Sequence, residues 1–565
     1  MPSRTLRLPA LILLLSTTLA TGSPTPCTNT QCHHHPSKIT WGSCEGRGFD
    51  TFNRTELTCG DLYVPLDYTS NSSETIRLEL VRMPAKTQPA KGTIQINFGG
   101  PGEPSRESFA AAADWLQDLS GGEFDLLVFD PRGTGTTIPF SCYGPDDEAQ
   151  RIISTVLSRE VGRASDTSLG RLWAMGKVVA DDCYKRMGEM GKYIGTSFYV
   201  RDIVQVAEAL GGEEAGLVRY WGMSYGSIVG AVLASMFPDR IESMLLDGIV
   251  NPHEYFDGWN LDFLEDADAV LDGFFASCFY RNQTEPCTLA LHYPSASAAK
   301  EAFVDFMETD LKYNPLPAGP YLIEYGNVKD AVFQFLYMPR FWPTILKFVY
   351  AIMTRDLTVL LDGEGTEYTS FASVIANYER KAELEDIILD RTVGIWCADK
   401  PDRIHSATLE EVKPVVEQMR VKSWISGDGL PLRFTTRCAH WNMPAKERVN
   451  PLKVDGPPVK TKKPVLLVGT SYDPATPMAS AFNMSAGLEG SVVLRHNGYG
   501  VVQAYFTNGT LPAPGTVCEP DWPVVPSPWE RSDVVRRASY TEEEEALVRA
   551  AKGLGEILDS RRGFL

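Results

Sequence analysis

Tyr220-Trp221-Gly222-Met223-Ser224-Tyr225-Gly226 stands between a short β-rich run, Leu217 to Trp221, and an apolar helical run, Ile228 to Met236. A Gly-x-Ser-x-Gly motif in that setting folds as a tight, strained strand-to-helix turn that lifts the serine hydroxyl above the end of the strand. Small residues are needed two positions to either side because strand and helix approach each other there. The bare pattern recurs by chance. The flanking periodicities are what make Ser224 a candidate nucleophile.

Outward from this turn, β-rich runs alternate with helical stretches between about Asp61 and Pro252, the pattern of an α/β protein with a mostly parallel sheet covered by helices. Gly92 to Phe98 (GTIQINF) and Phe124 to Phe129 (FDLLVF) read as strands, and Arg201 to Leu210 as an amphipathic helix. From Glu254 to Pro451 the chain becomes rich in aromatics at helical spacing, among them Phe303, Phe306, Phe333, Phe335, Phe341 and Trp342. This predicts a helical cap inserted into the sheet domain. Strand character returns at Pro464 to Val468 and Ser491 to Leu494, and a charged helix is expected from near Thr541. The chain thus divides into a signal peptide (1–22), an N-terminal extension (23–60), a first sheet segment (61–253), the cap (254–451), a second sheet segment (452–530) and a closing helix (531–565).

Two further turns carry chemistry. Asn97-Phe98-Gly99-Gly100-Pro101-Gly102 follows a strand, and glycines there let backbone N–H groups approach an oxyanion. Gly100 and Tyr225, the residue after the serine, are the natural donors, although the loop alone would read as an ordinary Gly-Pro turn. Gly469-Thr470-Ser471-Tyr472-Asp473-Pro474-Ala475-Thr476-Pro477 follows PVLLV and offers Asp473 to orient a histidine, with an Asx-turn aspartate as the alternative. Asp130 and Arg132, in FDPRGTG, read as braces for the loops; the Lys-Ser/Thr ending of a phosphate-binding loop is missing. Cys32 beside His33, His34 and His35 could suggest a metal, but next to a processed terminus it reads as a solvated loop.

A formal charge of -19 argues against nucleic acid, whose phosphates demand clustered Lys and Arg. Arg4 and Arg7, the apolar run Leu8 to Leu15 and small residues around Ala20-Thr21-Gly22 form a secretory signal. No later run reaches the roughly 18 apolar residues of a membrane span, so no anchor is expected. Asn-x-Ser/Thr sequons at Asn53, Asn71, Asn282, Asn483 and Asn508 fit the secretory route. Eleven cysteines fit an oxidising compartment. Proximity along the chain suggests Cys44 with Cys59, Cys142 with Cys183, Cys278 with Cys287, and Cys397 with Cys438, leaving Cys27, Cys32 and Cys518.

GGPG, FDPRGTG, YWGMSYGS, FPDRIESMLLDGIVNP and GTSYDPATP, in this order, resemble the fungal and bacterial tripeptidyl-aminopeptidase-like branch of the prolyl-aminopeptidase (S33) α/β-hydrolases, over most of residues 40–525. The resemblance implies an exopeptidase that removes short N-terminal peptides or residues and needs no metal or organic cofactor. It also implies roles: Ser224 as nucleophile, Asp473 as triad acid, Gly100 and Tyr225 as oxyanion donors. An esterase-like hydrolase of a small metabolite is the neighbouring reading. A non-catalytic binding protein that keeps the fold is the reading from another class.

The chain departs from this family where the general base should stand. Such proteins continue past Gly-Tyr-Gly into a histidine, whereas Asn497-Gly498-Tyr499-Gly500 runs directly into Val501-Val502-Gln503. The histidine segment is absent rather than substituted. Three explanations compete: a segment lost at a coding boundary, a pseudoenzyme, or a substitute base. The nearest substitute is His496 at the end of the last strand; His440, in the cap, is weaker. For the leader, mass spectrometry of secreted protein is expected to show cleavage near Ala20 to Gly22 and a mass loss on glycosidase treatment. Retention of Met1 with no glycan shift would contradict both readings.

Overall fold

The computed structural model describes residues 38–518 and part of 547–554, apart from 49–55, 148–149, 151–159, 212–214, 282–286, 319–320, 357, 359–388, 453–455, 497–498, 548 and 551–552. The leader, Cys27, Cys32, His33 to His35, Asn53, Asn282 and the start of the Thr541 helix lie outside the described residues.

The sheet strands are β1 (Thr40–Ser43), β2 (Thr58–Pro65), β3 (Thr75–Met83), β4 (Thr93–Asn97), β5 (Asp125–Phe129), β6 (Val218–Met223), β7 (Ile241–Asp247), β10 (Leu466–Gly469) and β11 (Val492–Arg495). Two short strands of the cap, β8 (Leu316–Ala318) and β9 (Tyr321–Ile323), pair only with each other. The nine strands order as β1-β2-β3-β5-β4-β6-β7-β10-β11. From β5 to β11 all pairings are parallel; β1, β2 and β3 join antiparallel. This matches the mostly parallel α/β expectation. β1 and the start of β2, however, draw part of the 23–60 stretch into the sheet.

Strands covered by helices on both faces must be apolar throughout, and every residue of β6 is buried. One face packs under Ile203, Val204, Ile228, Val229 and Leu233; the other lies against Phe109, Leu116, Val502 and Phe506. The insertion is less uniform than its aromatic pattern suggests. Phe274, Phe275, Phe303, Trp342 and Leu346 form a separate cap core. Val393, Ile395, Trp396, Phe434 and Trp441, from the same insertion, belong to the core of the sheet domain. The later part of the cap is therefore welded to the sheet domain, beside the serine turn.

Disulfides join Cys44–Cys59, Cys142–Cys183, Cys278–Cys287 and Cys397–Cys438, the pairings expected from chain proximity; Cys518 is free. Asn71, Asn483 and Asn508 are exposed, as glycan acceptors must be. Among the described residues no helix is long and apolar enough to cross a membrane.

Asp130 and Arg132 act as the braces their position suggested. Asp130 accepts from the backbone N–H groups of Arg106 and Thr136, each at 3.2 Å. Arg132 is wholly buried, pairs with Asp202 at 2.7 and 2.9 Å and donates to the carbonyls of Leu66 and Pro65, both at 2.6 Å. Tyr68 O–H completes the cluster on Asp202 at 2.7 Å. Removing one member strands a charge in a dry interior, so Asp202→Ala is expected to lower stability by about 3–5 kcal/mol in a denaturant titration. A loss below about 1 kcal/mol, the level of a surface pair, would refute this bracing role.

Candidate active site

β6 ends at Met223 and the helix Tyr225–Met236 begins two residues later, three residues earlier than its apolar run suggested. Ser224 between them has φ 54° and ψ -120°, a sparsely populated conformation for a residue with a side chain. Its N–H donates to the Asp247 carbonyl at 2.8 Å, and its carbonyl accepts from Ser227 N–H at 2.8 Å and Ser227 Oγ at 2.6 Å. These bonds hold the strain in place. Crowding explains the glycines: a Cβ on Gly222 would sit 2.3 Å from the Gly226 carbonyl oxygen, and one on Gly226 2.9 Å from that of Asn97.

The Gly99-Gly100 turn lies against this elbow. Gly99, at φ 104°, passes so close that a Cβ would meet the Met223 carbonyl oxygen at 2.7 Å and Ser224 Cβ at 2.9 Å. Its N–H is held by Asn97 Oδ1 at 2.9 Å. The N–H groups of Gly100 and Tyr225 take no acceptor among the described residues, as two oxyanion donors should. Gly100, Ser224 and Tyr225 share the wall of one cavity of about 680 Å³ of free space, including its open mouth. Its other walls are mainly apolar, with Phe263, Phe333, Trp396 and Phe434 among them. No carboxylate lines it among the described residues.

Pro474, Ala475 and Thr476, the residues directly after Asp473, line the same cavity. Asp473 Oδ1 accepts from Ala475 N–H at 3.0 Å and Thr476 N–H at 2.7 Å. That is the Asx turn, but it does not exclude the other role, because Oδ2 has no hydrogen-bond donor among the described residues. His496 follows β11 directly, in a left-handed conformation with φ 63°, its N–H bonded to the Gly469 carbonyl at 2.8 Å. Its ring neither lines the cavity nor has a hydrogen-bond partner among the described residues. His440 packs edge-on against Trp173 at 4.5 Å, away from the cavity wall.

A family model described as the alpha/beta hydrolase fold matches residues 94–288, and one described as TAP-like protein matches residues 431–518. The chain is an α/β-hydrolase of the TAP-like branch. The serine protease Hip1 of Mycobacterium tuberculosis is 26% identical over 507 residues, 85% of this chain and 91% of that protein. The tripeptidyl aminopeptidase of Streptomyces coelicolor is 31% identical over 204 residues, 35% of this chain and 36% of its own. Carboxylesterase B of Mycobacterium tuberculosis is 25% identical over 500 residues, 85% of this chain and 90% of that protein. Kinship and fold together make this TAP-like chain a serine hydrolase.

A base that served the candidates Ser224 and Asp473 together would have to meet both, and the sheet order shows why a strand-end histidine falls short. Ser224 follows β6 and His496 follows β11, three strand positions away, or roughly 14 Å at ordinary strand spacing. A loop must carry an imidazole back over the sheet. Here two residues, 497 and 498, lie between His496 and the helix Tyr499–Asn508, which runs straight through the Gly500–Val501 junction. Residues that the sequence reading missed also meet at this site: Thr392 lines the cavity and donates to the Pro101 carbonyl at 2.6 Å, and Tyr255 forms part of the wall. Both come from segments distant in the chain, so no local pattern announces them.

Two substitutions test this geometry. Ser224→Ala is expected to abolish acyl turnover while the melting temperature stays unchanged; an active variant would overturn the nucleophile assignment. Gly99→Ala is expected to lower both stability and activity, because the left-handed backbone and the Met223 carbonyl leave no room for a methyl group.

Proposed function

We propose that this chain is a secreted serine hydrolase of the aminopeptidase kind, built to release short N-terminal peptides or residues through an acyl-enzyme on Ser224, and that it lacks its general base. The observation that carries the reading is the shared wall of Ser224, Gly100 and Tyr225, backed by the kinship to a serine protease and a tripeptidyl aminopeptidase. Ser224 Oγ attacks the scissile carbonyl, and the two N–H groups receive the negative charge that develops on its oxygen. Collapse expels the amine and leaves the ester on Ser224; water then attacks the ester and regenerates the hydroxyl. Each half needs a proton taken and later returned, the role for which Asp473 would hold an imidazole. Without that imidazole the hydroxyl is a weak nucleophile, and turnover falls by several orders of magnitude.

A second reading, an esterase-like hydrolase, draws on one feature: the cavity offers no carboxylate among the described residues to a free amino terminus. The kinship to carboxylesterase B points the same way. A panel of amino-terminally free di- and tripeptide amides beside simple esters separates the two. Hydrolysis of esters alone would favour the esterase.

The missing base is tested by insertion. Gly500 is exposed, and a Cβ there would meet nothing within 4 Å, so a loop placed between Gly500 and Val501 displaces no buried packing at that glycine. A family-like loop bearing a histidine is expected to raise kcat/KM by about a thousandfold or more. It should also introduce a rise in rate at roughly pH 6–7, where imidazole titrates. His496→Ala should change little in either background. Full activity in the unmodified chain, lost on His496→Ala, would show that His496 is the base.

A further inference from the structure

Behind the cavity wall lies a buried polar cluster that no step above uses. Asp399, from the part of the insertion welded to the sheet domain, is 3% exposed. Its Oδ1 accepts Thr196 N–H at 2.9 Å; its Oδ2 accepts Thr196 Oγ–H at 2.5 Å and Tyr255 O–H at 2.9 Å. Thr196 Oγ lies 2.6 Å from Tyr225 Oη. Because the Thr196 hydroxyl proton is committed to Asp399, Tyr225 must be the donor in that contact. One carboxylate thus reaches, through one threonine, the residue that follows the serine, and directly reaches a second cavity-lining ring.

We infer that Asp399, acting through Thr196, is a positioning residue for the oxyanion donor Tyr225 and for the cavity wall at Tyr255. The inference rests on the assignment of Tyr225 as an oxyanion donor. Thr196 opens the helix Thr196–Leu210, whose N-cap, Gly195, has no side chain with which to cap it. Asp399 takes the orphan N–H at this positive helix end. A Cβ on Gly195 would lie 3.1 Å from Asp399 Oδ1, so the glycine permits the approach. The elbow backbone fixes one end of Tyr225 and this chain of hydrogen bonds fixes the other. A ring held at both ends leaves the first peptide of the helix little freedom to turn its N–H from the oxyanion.

The next residue extends the latch. Lys400, also buried, donates to the carbonyls of Glu254, Tyr255 and Gly258 and to Asn260 Oδ1. Tyr255 and Asn260 both line the cavity. Asp399 and Lys400 therefore hold Tyr255 at its hydroxyl and at its carbonyl.

Burial pushes the Asp399 carboxyl up to about 6, against the opposing pull of its hydrogen bonds and of Lys400. The ionisable groups that face it are Tyr225, Tyr255 and Lys400, and Lys400 is in turn faced by Glu254, Arg403 and Asp257. Protonation converts an acceptor into a donor, so Thr196 or Tyr255 must reverse its hydroxyl and the link to Tyr225 is rearranged. Site reactivity is accordingly expected to fall as pH drops through about 6. Stability runs the other way. A carboxyl whose folded value is raised stabilises the fold below its unfolded value and loses that contribution as pH rises through the folded one.

The experiment follows covalent labelling of Ser224 by a fluorophosphonate, which requires serine attack and oxyanion stabilisation, from about pH 5 to pH 8. Asp399→Ala is expected to slow labelling by about tenfold to a hundredfold. Asp399→Asn carries one acceptor and one donor, as the protonated carboxyl does, and is expected to hold the slower low-pH rate across the whole range, to lose the bend near pH 6 and to gain stability relative to wild type as pH rises from about 4 to about 6. His496→Ala should keep the bend. Labelling that stays dependent on Ser224 but is unchanged in Asp399→Ala overturns the inference, as does a bend that survives Asp399→Asn. Should Asp399→Ala fail to fold, Asp399→Asn alone decides. Labelling that persists in Ser224→Ala overturns the site reading itself and the inference with it; should the base-less chain label too slowly to follow, the same variants are read in the loop-bearing chain, where an unchanged rate in Asp399→Ala overturns the inference.

Discussion

The close crossing of β6 and the helix Tyr225–Met236 at Ser224 is the constraint on which the site depends. Four chain segments converge within contact of one residue: the strand, the helix, the Gly99-Gly100 turn and the end of β7. Each is glycine at the point of contact, Gly222, Gly226, Gly99 and Gly248, and at Gly248 a Cβ would lie 3.3 Å from Thr476 Oγ1 and 3.8 Å from the Ser224 nitrogen. The strained Ser224 backbone persists because the bonds from Asp247 and Ser227 over-determine it. The candidate oxyanion donors Gly100 and Tyr225, the cavity wall and the Asp473 turn are all placed by reference to this crossing.

Much of this was legible because it is local. A strand, a turn and a helix within about twenty residues announce themselves by periodicity and glycine, and that suffices to find Ser224, Gly100, Tyr225 and the turn of Asp473. The disulfides were legible for the same reason, each closing a loop short enough to guess. Helix starts were less so: the helix before β6 begins at Thr196, five residues ahead of its amphipathic stretch, because Thr196 to Val200 are all buried and so show no amphipathic alternation. The Asp399 cluster was invisible. Its bonds to Thr196 and Tyr255 span 203 and 144 residues, and a lone aspartate in an apolar run carries no pattern.

The position of His496 illustrates how far a sheet limits what side chains can reach. Parallel strands set the candidate residues along one edge, so Asp473, after β10, stands two strands from Ser224, after β6, and the end of β11 stands three. Only a loop crosses that gap. The helix that would follow such a loop is nevertheless intact: Tyr505 Oη is bonded to the backbone of Met244 at 2.9 and 3.1 Å, and Phe506 packs on Trp221 at 5.7 Å. The fold therefore does not need the histidine segment to close its core.

This separation between what the core requires and what the reaction requires bears on how the pseudoenzyme and lost-segment readings differ. Groups that serve only catalysis are free to drift once catalysis is gone, whereas groups that serve packing are not. Gly222, Gly226 and Asn97 satisfy packing as well as chemistry, so their presence says little either way. The Gly100 N–H and the Asp473 Oδ2, both without a hydrogen-bond partner among the described residues, and the strain at Ser224 are different, because the first two add no bond to the fold there and the last detracts from its stability. Three such features around one cavity favour, of those two readings, the lost segment over the pseudoenzyme.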